Sequence, residues 1–231
     1  FCGIAGGRYA EISDNGDSTY TVHGIEKSDI SYWQSYFDLD TDYDALIKQF
    51  SEDEHMKLAC KENPGIRVLR QEPFETLISF IISQNNNIKR ITGIIDRLCE
   101  NFGEKTDKGY MFPTLEKLVG VTAEDLAPLR AGFRARYIVD AVEKLSSGEV
   151  SLDGIKAMDT AAAREELKRI KGVGDKVADC VLLFGYHKTD AFPRDVWIKR
   201  IEQKLYPDGL PECIKGCLLY TSPSPRDRSL S

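Results

Sequence analysis

Hydrophobic and polar positions alternate over residues 3–26 and then change period. Two alternating stretches flank the segment Asp14-Asn-Gly-Asp17. Alternation on both sides of an Asn-Gly turn predicts an antiparallel hairpin. From about residue 43 the apolar positions recur at helical spacing. The pattern therefore predicts an α+β chain in which a small β portion precedes a mainly helical body.

Several helices can be placed by their apolar stripes and end signals. One stripe ends at Gly103, which we interpret as a C′ glycine, and a second ends at Gly148. Thr122 followed by Asp125 predicts a further helix start. Further helices are predicted over 160–169, 175–185 and 195–205. The two stripes consist of Ile88, Ile91, Ile95, Leu98 and Phe102, and of Tyr137, Ile138, Ala141, Val142 and Leu145.

The last residues, 216–231, have a different composition. They lack any period and are rich in Ser, Pro and Arg, which is typical of a disordered tail. They also resemble translated sequencing-adapter read-through, so we set them aside as a non-native tail. The chain begins with Phe1, without Met or a signal peptide, and no run of eighteen apolar residues is present. We therefore expect an intracellular protein, truncated at both ends, with no membrane span.

The net charge of −6 is unevenly distributed. Residues 1–60 hold 12 acidic and 4 basic residues, whereas residues 61–231 hold 25 acidic and 27 basic residues. A locally basic face on the second part is therefore compatible with the overall charge.

The six cysteines lack the close grouping that a zinc site or an iron–sulfur cluster requires. Only Cys213 and Cys217 lie close together in the sequence. We expect reduced, mostly buried thiols, with neither a metal nor a cofactor.

A glycine-bearing turn stands between two of the predicted helices. In Ile170-Lys-Gly-Val-Gly174, the backbone around Gly172, Val173 and Gly174 could point successive N–H groups outward beside a helix N-terminus. Such a turn can bind a phosphate through amide donors and the helix dipole. An ordinary helix–helix corner explains the glycines equally simply.

Two residues near this turn carry candidate chemistry. Lys176 lies in the first turn of the following helix, where the dipole disfavours a cation, and Asp195 begins another helix nineteen residues later. A lysine that loses its proton becomes a nucleophile able to form a Schiff base, and a carboxylate can stabilise the positive charge that develops. The simpler alternatives are a solvated lysine and an N-capping aspartate.

Taken together, these motifs resemble a known family. Gly-Val-Gly-Asp-Lys176-Val-Ala-Asp-Cys180 followed by Phe-Pro-Arg-Asp195-Val is similar to the helix-hairpin-helix glycosylases with a Gly/Pro-rich loop and a catalytic aspartate. Among these glycosylases, the chain resembles the 8-oxoguanine DNA glycosylases over about residues 1–215. The further matching segments are Phe80-Ile-Ile-Ser-Gln-Asn85-Asn-Asn-Ile-Lys-Arg90, Gly132-Phe-Arg134-Ala-Arg-Tyr137 and Tyr36-Phe-Asp-Leu-Asp40.

The resemblance implies a domain organisation and a catalytic centre. Residues 1–42 would be part of a TBP-like β domain, and residues 43–215 the helical glycosylase domain. Lys176 would displace the damaged base of a flipped-out nucleotide and form an imine with the deoxyribose. Asp195 would be the essential aspartate, and Cys180 would line the base pocket.

The resemblance also implies four DNA contacts beyond the glycine turn. Asn85 would fill the gap left in the base stack, and Phe133 would wedge the duplex. Arg90 and Arg134 would hydrogen-bond the cytosine left unpaired. Without the family, a helix-cap or loop role for Asn85 and core packing of Phe133 would be the simpler interpretations.

The implied function is removal of 8-oxoguanine opposite cytosine, with β-lyase cleavage at the abasic site. The expected partner is double-stranded DNA containing an oxidised purine, bound by a monomer in a bacterial cytoplasm. Two alternatives stay open: a glycosylase of this superfamily with another specificity, and a non-catalytic fragment that binds damaged DNA. The missing cysteine cluster disfavours the iron–sulfur glycosylases, and the hairpin lysine disfavours the alkylation glycosylases.

Overall fold

The computed structural model describes residues 2–17 and 19–211. Cys213, Cys217 and the tail of residues 216–231 lie outside the described residues. The strands are β1 (Cys2–Ala5), β2 (Arg8–Asp14), β3 (Tyr20–His23), β4 (Lys105–Thr106) and β5 (Gly109–Tyr110). The helices are α1 (Ile30–Tyr36), α2 (Tyr43–Phe50), α3 (Glu54–Glu62), α4 (Pro73–Ser83), α5 (Ile88–Phe102), α6 (Leu115–Leu118), α7 (Arg134–Ser146), α8 (Leu152–Ala157), α9 (Thr160–Lys168), α10 (Asp175–Tyr186) and α11 (Val196–Leu205).

The N-terminal residues form a three-stranded antiparallel sheet in the order β1-β2-β3. The predicted hairpin is confirmed as β2 and β3, with Ile12 opposite Val22. The structure adds β1, which pairs with β2 across a turn at Gly6 and Gly7, both with positive φ. The sheet covers a small apolar cluster centred on Trp33 of α1. The α+β architecture expected from the pattern is therefore observed.

Gly103 ends α5 as expected, but its predicted left-handed C′ conformation is wrong. Its φ and ψ are −81° and 165°, which is extended backbone. A Cβ at this position would collide with the main-chain oxygens of Met111 and Cys99. Glycine is therefore required by a close approach of two backbone segments rather than by a left-handed turn. Gly148, by contrast, has φ of +75° just after α7 and is the left-handed glycine expected there.

The helix start predicted at Thr122 is also wrong. Thr122 and Asp125 do form a reciprocal pair of hydrogen bonds, in which the Thr122 N–H donates to Asp125 Oδ2 and the Asp125 N–H to Thr122 Oγ1. Only turns and the short 3-10 helix Ala127–Leu129 follow. Pro128 explains the difference, because proline lacks an N–H and its ring obstructs a continuing α-helix.

The main core lies among the helices that follow the sheet. Helix α4 is buried almost all round, with Leu77, Ile78, Ile81 and Ile82 fully inaccessible, and it packs along α10. The two helices approach so closely at Gly185 that a Cβ there would lie 3.1 Å from the Pro73 Cα. Because α10 contains Lys176, this packing positions the lysine relative to the end of α4.

A buried carboxylate ties the N-terminal part to the far end of α10. Asp38 is fully buried and accepts hydrogen bonds from Arg70, Tyr43 and Thr41. Its Oδ1 also lies 3.5 Å from Nε2 of His187, the residue that ends α10. Burial alone would raise the pKa of Asp38, but these hydrogen bonds outweigh it and lower the pKa below its usual value.

No helix within the described residues is long and apolar enough to cross a membrane.

The cysteines at positions 2, 60, 99 and 180 are free thiols.

Two glycines at and within α5 provide a matched test of this fold. We expect Gly103→Ala to lower the free energy of unfolding by about 1–3 kcal/mol, since the added methyl meets backbone that cannot move aside cheaply. Gly93→Ala should raise it by about 0.5–1 kcal/mol, because its Cβ meets only the flexible end of Arg97. Denaturant unfolding followed by circular dichroism measures both, and equal effects of the two substitutions would contradict the close-approach interpretation.

Candidate active site

The glycine-bearing turn joins α9 to α10 as a helical hairpin. Gly172 has a φ of +84°, and Gly174 is the N-cap of α10, with no side chain to cap the helix. Within the described residues, nothing accepts a hydrogen bond from the N–H groups of Gly172 and Gly174. Together with the first turn of α10, these unpaired donors lie at a helix N-terminus, an arrangement suited to an anion, and phosphate binding by this turn stays a prediction.

Val173 differs from its two neighbours in this turn. Its N–H donates to the carbonyl of Ile170 at 3.0 Å, and its side chain is buried in the core. It therefore anchors the turn to the core, while the outward donors belong to the glycines. Direct contact of Val173 with DNA stays a prediction.

Buried charges hold the two hairpin helices together. Arg164 of α9 donates to Asp179 of α10 at 2.6 Å, with both side chains nearly inaccessible. Nearer the turn, Lys168 pairs with Asp175 at 2.9 Å. The first pair matters more, because breaking a buried ion pair leaves an uncompensated charge whereas exposed pairs contribute little.

Lys176 lies in the first turn of α10 with its amine close to apolar groups. Its Nζ is 5.3 Å from the centroid of the Phe80 ring, which stacks on Phe184. Its charge also acts on the thiol of Cys180, one turn further along, and lowers the pKa of that thiol. No described residue offers it a carboxylate within 4.0 Å, although most of the residue is exposed. The residue is exposed, as the solvated-lysine alternative predicts, and its role as a nucleophile stays a prediction.

Cys180 is a buried residue whose thiol is affected by the charges of both Lys176 and Asp195. Burial raises the pKa of its thiol to about 11, while the neighbouring Lys176 lowers it and the Asp195 charge raises it. The thiol is therefore protonated at neutral pH and acts as a small apolar wall. Because both charges act on this one thiol, Lys176 and Asp195 both lie in its neighbourhood.

Asp195 is the N-cap of α11. Its Oδ1 accepts the N–H of Ile198 at 2.8 Å, so the N-capping alternative considered from the sequence is confirmed. Within the described part of the chain no donor reaches Oδ2. One carboxylate oxygen thus fixes the side chain, and the other is available to a ligand.

The asparagine triplet forms the loop between α4 and α5. Asn87 caps α5 by accepting the N–H of Arg90, and Asn86 donates to the carbonyl of Ile82. Asn85 is different, since it is exposed, has a left-handed φ of +45° and has no side-chain hydrogen bond to any described residue. The helix-cap alternative therefore applies to Asn87, and Asn85 is left projecting from the loop.

Arg134 holds this loop from the N-terminus of α7. Only 2% exposed, it donates from Nε to the Gln84 carbonyl at 2.8 Å and from Nη2 to the carbonyls of Gln84 and Asn85. Nη1 donates to the Ala131 carbonyl at 3.2 Å. Burial, together with the nearby Arg90 charge, lowers the pKa of this guanidinium. Hydrogen bonding of cytosine by Arg90 and Arg134 stays a prediction.

Phe133 is 50% exposed, so the core-packing alternative is wrong for it. Its ring stacks under the Arg134 guanidinium at 4.5 Å and meets the edge of Tyr137 at a centroid distance of 5.6 Å. Ile88, 83% exposed, begins the helix that follows the asparagine loop, and Arg90 is exposed beside it. The loop, Phe133 and the start of α5 thus form one surface with apolar and cationic groups.

The sequence did not reveal the residues that join this surface to the hairpin. Tyr137 was placed in an apolar core stripe, yet it is half-buried between Phe133 and Gly172, where a Cβ would collide with its ring. Phe80 beneath Lys176 was equally unrecognised. The available signal was the four-residue spacing of Phe133 and Tyr137, which puts both on one helical face.

Comparison with known proteins now defines the class. Residues 78–212 match the model of the HhH-GPD superfamily of base excision DNA repair proteins, and the chain belongs to this superfamily. Residues 1–77 match the N-terminal domain of 8-oxoguanine DNA glycosylase, which identifies the branch.

Individual relatives agree with this assignment. The N-glycosylase/DNA lyase of Saccharomyces cerevisiae is 39% identical over 192 residues, which is 76% of this chain and 51% of the yeast protein. The 8-oxoguanine glycosylase/lyase of Clostridium acetobutylicum is 39% identical in its apo form, with a TM-score of 0.85 over 94% of this chain and 77% of that one. Its complex with double-stranded DNA containing cytosine opposite 8-oxoG gives a TM-score of 0.85 at 40% identity, over 93% of this chain and 76% of that one. The chain thus spans about half the length of the curated yeast relative.

The two hairpin glycines should respond oppositely to one substitution. We expect Gly172→Ser to lower the free energy of unfolding by about 1–3 kcal/mol, since it combines a left-handed φ with a collision against Tyr137. Gly174→Ser adds a Cβ in open space and a favoured N-cap side chain, and should leave stability within about 1 kcal/mol of the parent or above it. Thermal unfolding compares the pair, and a tolerated Gly172→Ser would refute the described docking of the turn.

Proposed function

We propose that this chain is a DNA glycosylase and abasic-site lyase that excises 8-oxoguanine paired with cytosine. The observation that carries the proposal is that the charges of Lys176 and Asp195 both act on the buried Cys180 thiol, beside an uncapped hairpin turn. A flipped-out nucleotide bound with its sugar near Nζ would place its base toward Cys180 and Phe80. Membership of the superfamily and the named activities of the relatives support the same reaction class.

In the first step the neutral Lys176 amine attacks C1′ of the flipped nucleoside. A C1′–N bond forms while the glycosidic bond breaks, and its electron pair leaves with the base, which takes up a proton. The amine nitrogen loses one proton, and the C1′–O4′ bond then breaks, with O4′ taking up a proton from solvent as a hydroxyl, which gives a protonated imine between Nζ and C1′. Phe80, whose ring centroid lies 5.3 Å from Nζ, and the buried Cys180 lie near the amine, where the flipped base would bind.

In the second step the imine withdraws electrons from the sugar. Loss of a C2′ proton then expels the 3′ phosphate by β-elimination, which cleaves the strand. Asp195 stabilises the positive charge that develops at the sugar in both steps through its free Oδ2, while Oδ1 remains on the α11 cap. An amine and a carboxylate therefore suffice for the chemistry, without a cofactor.

Binding of the duplex follows from the same surfaces. The uncapped N–H groups at Gly172 and Gly174 bind a backbone phosphate, which positions the protein without reading sequence. Asn85 enters the gap left by the flipped base, Phe133 wedges the neighbouring step, and the exposed Arg90 hydrogen-bonds the unpaired cytosine. Arg134, whose guanidinium donates to the carbonyls of the Asn85 loop, would have to give up part of these hydrogen bonds to contact the cytosine as well. An enzyme with this substrate works where chromosomal DNA lies, and a monomer in the bacterial cytoplasm is our expectation.

The nucleophile can be tested by borohydride trapping on duplex DNA with one 8-oxoguanine opposite cytosine. We expect a covalent adduct with the parent chain and none with Lys176→Gln, because an amide cannot form the imine that borohydride reduces. Lys156→Gln, which changes an exposed lysine on α8, is the matched control and should trap like the parent.

The same assay distinguishes the alternatives. Trapping by Lys176→Gln at the parent level would refute the nucleophile assignment. An adduct on abasic DNA but not on the 8-oxoguanine duplex would retain the lyase and refute the substrate. No adduct on either DNA, from protein that binds damaged duplex, would favour the non-catalytic binding fragment.

The substitution Asp195→Asn distinguishes the proposed chemical role of Asp195 from its role as the cap of α11. Asparagine caps helices as well as aspartate does, so the fold of α11 should persist while the negative charge is lost. We expect the single-turnover excision rate to fall by about one to two orders of magnitude, with little change in DNA affinity. Asp159→Asn, which alters another N-cap aspartate at the start of α9, should leave the rate unchanged. Equal rates for Asp195→Asn and the parent would exclude the electrostatic role.

A further inference from the structure

One face of α7 carries four polar or aromatic side chains in register. Phe133, Tyr137, Asp140 and Lys144 follow one another at intervals of four, three and four residues. At 3.6 residues per turn this spacing aligns them along a single stripe of the helix. The stripe begins beside the asparagine loop, because Phe133 stacks on the same Arg134 that holds the Asn85 carbonyl.

The other three side chains of the stripe contact the hairpin turn. The Tyr137 ring lies against Gly172 so closely that no Cβ fits there. Asp140 Oδ2 accepts the main-chain N–H of Lys171 at 2.7 Å, and Lys144 Nζ donates to the Arg169 carbonyl at 2.5 Å. Each of these contacts fixes the main chain of the turn rather than a mobile side chain.

Asp140 is unusual among them, since it places a negative charge beside a turn that is otherwise suited to bind an anion. Its side chain is 22% exposed, so this charge is only partly screened by water. Lys144 lies 3.1 Å from Oδ2 and offsets the charge. The carboxylate also accepts the N–H of Lys171, so that the part of the turn just before Gly172 is held in place.

We propose that Asp140 is a positioning residue for DNA binding, which sets the orientation of the hairpin turn by accepting the Lys171 N–H. This inference rests on the proposed function, because it assumes that the turn binds a DNA phosphate. Through α7 the residue also fixes the spacing between that phosphate contact and the Asn85–Phe133 surface. Asp140 acts through the position of its acceptor oxygen rather than through its charge, so an uncharged acceptor of the same shape can replace it.

The test compares Asp140→Ala with Asp140→Asn on a duplex containing a tetrahydrofuran abasic-site analogue, which binds without reacting. We expect Asp140→Ala to weaken binding by about tenfold, the effect of roughly 1.4 kcal/mol. Asp140→Asn keeps an oxygen for the Lys171 N–H and removes a charge near the phosphate, so it should bind at least as tightly as the parent. The single-turnover excision rate at saturating protein should be the same for all three.

One control establishes that each variant is folded, and a second establishes that the parent chain binds the duplex. Affinities are measured well below the unfolding temperature of each variant, with far-UV circular dichroism to establish that each is folded. Equal affinity of the folded Ala and Asn variants would overturn the inference, since a purely electrostatic effect makes no distinction between them. Failure of the parent itself to bind the duplex would overturn the proposed function and this inference with it.

Discussion

The packing of α10 against α4 is the contact on which the rest of the site depends. The two helices bury mainly apolar faces, and at Gly185 they approach so closely that a Cβ would lie 3.1 Å from the Pro73 Cα. Helix α10 begins one residue before Lys176, and α4 ends two residues before Asn85. Because packed interiors resist deformation, this contact fixes Lys176 relative to the Asn85 loop. The Asp38 network at the other end of α10 ties the same helix to the N-terminal part.

The site also explains how an acidic chain can carry a DNA-binding surface. Its net charge of −6 would oppose a polyanion if binding depended on overall charge. The hairpin turn instead offers main-chain N–H groups at an uncapped helix end, which carry no net charge. The two arginines near the asparagine loop differ in their contacts. Arg134 donates to main-chain carbonyls, whereas Arg90 is exposed. A phosphate contact through these donors therefore does not require a positive net charge.

Local chemistry allowed much of the fold to be predicted from the sequence. The hairpin around Gly16, the stripe of α7 and the glycine after it were recognisable because each depends on neighbours in the chain. The two wrong predictions share a cause. Glycine is required at position 103 because the backbone of Met111 lies too close to leave room for a Cβ. The cap at Thr122 is followed by Pro128 and a short 3-10 helix rather than by an α-helix. In both places a feature outside the local motif decided the conformation.

By itself the sequence determined the candidate chemistry: a lysine in the first turn after a glycine-bearing corner, and an aspartate nineteen residues later. Only the tertiary structure decided that both act on Cys180, that Asp195 also caps α11, and that Arg134 holds the Asn85 loop. It alone revealed that Tyr137 and Asp140 fix the turn. The physical reason is that residue types and spacings report helical faces and end signals, whereas the contacts between these elements arise from packing of side chains far apart in the chain.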